Sequence, residues 1–103
     1  MSRLRDIASV VRSKNAGPLY LTLDVMLPDD PTFRRVVASG ALSPARMATL
    51  FAMPAEEVEV IDHPPTHTVK VTMRRAITAG DLADTDLYGA QQYVPLLDVE
   101  VPD

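Results

Sequence analysis

The sequence predicts an α+β domain of about five mostly antiparallel strands with two helices packed on one face, a ferredoxin-like or split-βαβ sandwich. Three observations lead to this prediction. Apolar and polar residues alternate over long segments on both sides of the middle of the chain, as in half-buried strands. Two segments between them carry helix caps followed by apolar residues at helical spacing. The length of 103 residues, without a repeat or linker, predicts a single domain over 1–103.

The N-terminal part predicts a β-hairpin. An apolar run over residues 7–11 favours a first strand. The segment 15–18, Asn-Ala-Gly-Pro, is typical of a tight turn in which Gly17 takes a positive φ. A strict alternation then predicts a second strand, whose inward face carries Leu19, Leu21, Leu23, Val25 and Leu27.

Two short helices are predicted next. Asp30 and Pro31 suit the N-cap and first turn of one helix, and Gly40 suits its end. Ser43 and Pro44 repeat the same start signal for the other. The expected buried stripes are Phe33, Val36 and Val37 in the first helix and Met47, Leu50 and Phe51 in the second.

The C-terminal half predicts further strands. Residues 58–60 favour a strand that Pro64 and Pro65 interrupt, and residues 68–74 alternate with an inward face of Val69, Val71 and Met73. From Pro95 we expect a last strand with Leu97, Val99 and Val101 on one face. The prolines exclude a helical metal pair of His63 and His67, and His67 is expected near the core.

Composition narrows the functional classes. A net charge of -4 and a pI near 5.0 argue against a nucleic-acid-binding protein. No apolar run approaches the ~20 residues that span a bilayer, and the start is too short for a signal-peptide core. With no cysteine, disulfides and thiolate chemistry are absent. We therefore expect a cytoplasmic protein without membrane contact.

The first candidate site is the polar segment 12–18. It places Arg12, Ser13, Lys14 and Asn15 in four successive positions. Outward-pointing backbone N–H groups beside Lys14 and Arg12 would suit a carboxylate or phosphate. The alternative is an ordinary hairpin turn, and the spacing does not match a P-loop.

The second candidate site is the polar segment 80–93, which is long for a connection in a compact domain. It contains three aspartates, but their spacing departs from a calcium-binding loop, so no metal site is predicted. The alternative is a surface loop held by Asp–Arg pairs to the first segment. If the two segments meet, the ligand-binding residues from this one are Asp84, Asp86, Tyr88, Gln91 and Gln92.

The whole chain resembles domain-of-unknown-function family 4387. The matching pieces are the segments 4–8, 12–18, 21–24, 85–92 and 95–97, which include both polar segments. The resemblance implies a small companion of a larger acyclic-terpene-utilisation, AtuA-like protein. It transfers no catalytic residue and no cofactor.

These observations favour the small subunit of a two-component enzyme that acts on small organic acids or their coenzyme A thioesters. A lyase or hydratase is the expected reaction by analogy, because carbon-acid chemistry needs an anchored carboxylate and an acid–base group. The expected partners are the larger AtuA-like chain, an oligomeric assembly and an anionic small molecule. The alternative is a non-catalytic binding or scaffold module that forms a homo-oligomer.

Overall fold

The computed structural model describes residues 2–15, 20–74 and 94–102. Within these ranges the chain forms six strands in two antiparallel sheets together with three α-helices, which confirms the predicted α+β class. In chain order the elements are β1 (Ser2–Arg3), α1 (Leu4–Ile7), β2 (Val10–Asn15), β3 (Tyr20–Met26), α2 (Asp30–Ser39), α3 (Pro44–Phe51), β4 (Val58–His63), β5 (Thr68–Arg74) and β6 (Glu100–Val101). Short 3-10 helices cover Ala55–Glu57, Pro64–Thr66 and Val94–Asp98.

The main sheet has four strands in the order β2-β3-β5-β4, and every neighbouring pair is antiparallel. It follows that β3 and β4 run in the same direction, with β5 between them running the opposite way. Helices α2 and α3 connect β3 to β4. This arrangement is the predicted split β-α-β unit. The remaining strands, β1 and β6, form a separate two-stranded sheet.

One face of the main sheet carries the hydrophobic core. Leu23, Val25 and Val71 in the two central strands are fully buried, and α2 and α3 contribute their own buried residues to the same cluster. The core contains Leu4, Leu21, Leu23, Val25, Leu27, Phe33, Val36, Ala41, Leu42, Met47, Ala48, Val58, Val69, Val71, Met73, Leu96 and Val101. No helix in the described part of the chain is long and apolar enough to cross a membrane.

The helix boundaries match the capping signals with one shift. Asp29, not Asp30, is the N-cap of α2, because its carboxylate accepts a hydrogen bond from the backbone N–H of Thr32 at 2.9 Å. Gly40 ends α2 with φ 71°, and Ser43 caps α3, as predicted. The prediction that Val37 and Leu50 are buried is wrong, since these residues are 38% and 39% exposed.

Both ends of the domain differ from the expected strands. The segment before β2 forms helix α1, whose Leu4 is fully buried and donates its N–H to the carbonyl of Val99 at 2.8 Å. The predicted strand from Pro95 is wrong over most of its length, since Val94–Asp98 is a 3-10 helix and only Glu100–Val101 is a strand. Packing of the ends against each other outweighs the alternating pattern there.

Arg35 of α2 ties the two-stranded sheet to the body of the domain. Its Nε donates to the carbonyl of Pro102 at 2.8 Å, and its Nη2 donates to Ser2 Oγ at 3.0 Å and to the carbonyl of Val101 at 3.3 Å. One side chain thus holds both terminal segments against the helix.

Candidate functional site

The first predicted site lies in a strand. Arg12, Ser13, Lys14 and Asn15 belong to β2 and pair with residues 21–24 of β3, so the loop begins later than predicted. Ladder pairing with β3 outweighs the turn preference of these residues. Since side chains alternate along a strand, Arg12 and Lys14 point to one face of the sheet and Ser13 to the other. Ser13 is buried, whereas Arg12 and Lys14 are exposed.

The second predicted site, with Asp84, Asp86, Tyr88, Gln91 and Gln92, falls outside the described residues. Its meeting with Arg12 and Lys14 stays a prediction.

Arg12 and Lys14 belong to what we call the open face, the side of the main sheet opposite the core. The strand registers place fourteen described residues on it: Val10, Arg12, Lys14, Tyr20, Thr22, Asp24, Met26, Glu59, Ile61, His63, Thr68, Lys70, Thr72 and Arg74. Four of them are Lys or Arg and two are acidic, although the chain carries a net charge of -4. The open face is therefore locally cationic on an acidic protein.

A cross-strand row in the middle of this face places a carboxylate between two cations. Arg12 is paired with Asp24 in the register of β2 and β3, and Asp24 with Lys70 in that of β3 and β5. Arg12 Nε donates to Asp24 Oδ2 at 3.2 Å. Among the described residues, Lys70 forms no ion pair with a carboxylate.

The other oxygen of this carboxylate has no partner within the ranges that the structure describes. The side chain of Asp24 is only 6% exposed, and Oδ1 is buried and has no hydrogen-bond donor among the described residues. A buried charged acceptor without a donor is costly to the folded state. Such a group needs an explanation, and a ligand that supplies the donor is one.

A pocket of about 350 Å³ lies beside Asp24. Its volume is at the lower end of the range for small-molecule sites, roughly 300–1,000 Å³. The lining combines charged, hydroxyl and apolar side chains: Arg12, Asp24, Met26, Ile61, His63, Thr66, Thr68 and Lys70. Among the predicted site residues that the structure describes, Arg12 lines this pocket.

A hydrogen-bond chain fixes the orientation of His63 in this lining. Thr68 Oγ1 donates to the carbonyl of Thr66 at 3.1 Å, and Thr66 Oγ1 donates to Thr68 Oγ1 at 2.9 Å. Thr66 Oγ1 also lies 2.8 Å from His63 Nδ1, and the tautomer of the ring determines which of these two atoms donates the hydrogen bond. In the tautomer that carries the proton on Nδ1, Nε2 is an acceptor.

The model of a protein family described as Domain of unknown function (DUF4387) matches residues 4–100. The chain belongs to the DUF4387 family. No match was found among curated proteins or among solved structures. The matched range of this DUF4387 member includes every residue of the open face, but the family description assigns no activity.

Sequence reasoning missed the pocket residues Asp24, His63 and Lys70. The alternation of the two strands puts Asp24 and Lys70 on the polar side without indicating a site, and Pro64 and Pro65 put His63 next to a strand break. The available signal was Asp24 itself, a single acidic residue in the middle of an apolar strand. His67 lies near the core as expected, with its ring centroid 6.1 Å from that of Phe33.

In this DUF4387 chain the arrangement can bind an anion through its cations and accept a proton at His63. Within the described residues, no group of three or more His, Cys, Asp or Glu is placed to hold a metal ion.

Proposed function

We propose that this DUF4387 chain is the small subunit of a two-component enzyme that acts on small organic acids or their coenzyme A thioesters. Its larger partner is a protein of the AtuA-like type, as the family resemblance implies, and the small subunit is cytoplasmic. The observation that supports the proposal best is the row of Arg12, Asp24 and Lys70 beside a pocket on the open face.

The cations of the open face are available to an anion. Arg12 uses Nε for Asp24, and its side chain remains 58% exposed. Lys14 and Lys70 are exposed and, within the described residues, form no ion pair. A ligand carboxylate beside these groups gains charge-assisted hydrogen bonds, and in a partly enclosed pocket the attraction is stronger than at an open surface.

The same face is suited to contact with a second chain. Three large apolar side chains on it are prominently exposed: Val10 at 41%, Tyr20 at 49% and Ile61 at 46%. Apolar and aromatic residues interleaved with arginine are typical of protein interfaces. We place the boundary with the larger subunit on this face, so that the bound acid lies between the two chains.

A lyase or hydratase reaction is consistent with these groups. Such reactions remove a proton from a carbon next to an anchored carboxylate. Lys70 and Arg12 would anchor the carboxylate, and His63 Nε2 would accept the proton. The larger chain would supply the remaining groups and cover the pocket.

The test is a pull-down of the tagged chain from its native cells, followed by mass spectrometry of the proteins that co-purify. We expect an AtuA-like chain in a fixed ratio to the small chain. Recovery of the small chain alone, as a stable homo-oligomer, would contradict the subunit proposal and support the scaffold alternative.

A further inference from the structure

We propose that the pocket on the open face binds a small hydroxycarboxylic acid. Lys70 and Arg12 hold its carboxylate, and its hydroxyl donates a hydrogen bond to Asp24 Oδ1. This inference rests on the proposed function, because it names the class of acid that the same site takes.

The need for a hydroxyl follows from Asp24. Within the described part of the chain its Oδ1 has no hydrogen-bond donor, and an ionised carboxylate can only accept hydrogen bonds. An acid without a donor group would leave Oδ1 unsatisfied and bring a second negative charge close to it. A hydroxyl next to the ligand carboxylate satisfies Oδ1 and keeps the two carboxylates apart.

A neutral donor is favoured over a cationic one. Asp24 is flanked in the sheet by Arg12 on one side and Lys70 on the other. A ligand ammonium at Oδ1 would lie close to both of these cations and be repelled by them. An alcohol donates the same hydrogen bond without that repulsion, so the site favours hydroxy acids over amino acids.

The spacing of the row limits where the hydroxyl sits. Side chains directly opposite each other in an antiparallel pair begin about 5 Å apart at their Cβ atoms. A ligand whose carboxylate meets Lys70 therefore reaches Asp24 with a hydroxyl on the adjacent carbon or the one after it. The inference requires the exposed side chains of Arg12 and Lys70 to move so that the ligand hydroxyl reaches the buried Oδ1, and exposed side chains change rotamer readily.

The pocket size and the apolar lining limit the size and the carbon chain of the ligand. About 350 Å³ accommodates an acid of a few carbon atoms, and Met26 and Ile61 offer contacts for its carbon chain. A coenzyme A group on such an acid would have to extend beyond the pocket. We therefore use malate as the probe and succinate, which differs from it by one hydroxyl, as the matched control.

The experiment measures binding of both stereoisomers of malate, of succinate and of inorganic phosphate by isothermal titration calorimetry. It is run on the isolated chain and on the complex with its larger partner. We expect one malate isomer to bind at least about tenfold tighter than succinate, the effect of one hydrogen bond to a charged group. Asp24→Val should lower the affinity for malate to the affinity for succinate. Arg46→Ala, which removes a cation from α3 outside the pocket, should keep the preference.

The binding results test the hydroxy-acid site independently of the two-component enzyme. Equal binding of malate and succinate in both samples, or binding of phosphate as tight as that of malate, would overturn the hydroxy-acid site even where an AtuA-like partner co-purifies. A malate preference without such a partner would support the site and contradict the two-component enzyme. Circular dichroism of Asp24→Val verifies that its loss of preference is not a loss of folding.

Discussion

Asp24 lies directly opposite Lys70 in neighbouring strands, yet its ion pair is with Arg12 on the other side, between Oδ2 and Nε at 3.2 Å. The carboxylate thus satisfies one oxygen within the described chain and leaves the other, Oδ1, buried without a donor. Lys70 remains exposed beside it. A residue that is costly for folding in a central strand and that lines a pocket is typical of a binding site.

Asp24→Val should make the isolated domain more stable. The substitution removes a buried, half-satisfied carboxylate and introduces a β-branched residue in a central strand. Because Arg12 is 58% exposed, it returns to water at little cost. We expect the free energy of unfolding, measured by urea denaturation, to rise by about 1 kcal/mol. A decrease of that size would assign Asp24 a structural role.

Arg12→Ala should destabilise the domain, but only while Asp24 is present. Removal of the guanidinium leaves the buried carboxylate without its ion pair. Exposure of Arg12 to solvent limits the expected loss to about 0.5–1 kcal/mol. In the Asp24→Val background the same substitution should have no effect. A double-mutant cycle of urea denaturation curves measures the coupling, and additive effects would show that the pair contributes nothing.

Arg35→Ala should loosen the terminal strands. Its guanidinium donates hydrogen bonds to Ser2 Oγ and to the carbonyls of Val101 and Pro102. We expect a loss of about 1–3 kcal/mol in unfolding free energy and faster amide hydrogen exchange in β1 and β6. The control is the neighbouring Arg34→Ala, which removes only an exposed pair with Asp30 and should cost about 0.5 kcal/mol or less. Equal effects of the two substitutions would contradict the role of Arg35 in holding the terminal strands.

The N-cap of α2 should make stability depend on acid pH. The side chain and the backbone N–H of Thr32 donate to the Asp29 carboxylate and lower its pKa below the usual 3.8. Since the pKa is lower in the folded state, this stabilisation is present above about pH 4 and is lost as the pH falls through the folded value. Asp29→Asn keeps a cap without a titrating group. The melting temperature of the wild type should therefore fall more steeply than that of Asp29→Asn below about pH 4, and parallel curves would contradict this.

Much of the fold was predictable because local signals and burial agree. Gly40 and Ser43 mark helix boundaries by their own backbone and side-chain chemistry. The alternation in β3 and β5 assigns the core face correctly at Leu23 and Val71. The terminal segments were harder, because Leu4 and Leu96 are buried by contacts between distant parts of the chain. A period-two pattern does not carry that information.

The candidate site was predictable only in part. Arg12 and Lys14 stood out as cations in a short polar segment, and they lie on the open face. Asp24 becomes a neighbour of Lys70 through pairing of strands whose residues lie 46 positions apart in the chain, and β4 brings His63 to the other side of β5, which sequence spacing does not show. The feature that distinguishes the pocket, the unpaired Oδ1 of Asp24, is visible only in the folded arrangement.

The most direct test of the central claim is to compare two charge reversals in complex formation with the larger AtuA-like chain. Lys14→Glu changes the open face and Arg46→Glu changes an exposed position on α3; both side chains lack an ion pair within the described residues. Native mass spectrometry of the co-expressed chains measures the fraction of small subunit in the complex. We expect Arg46→Glu to assemble like the wild type and Lys14→Glu to assemble poorly. Equal assembly of both variants, or no complex with the wild type, would contradict the assignment of the open face as the working surface of a small subunit.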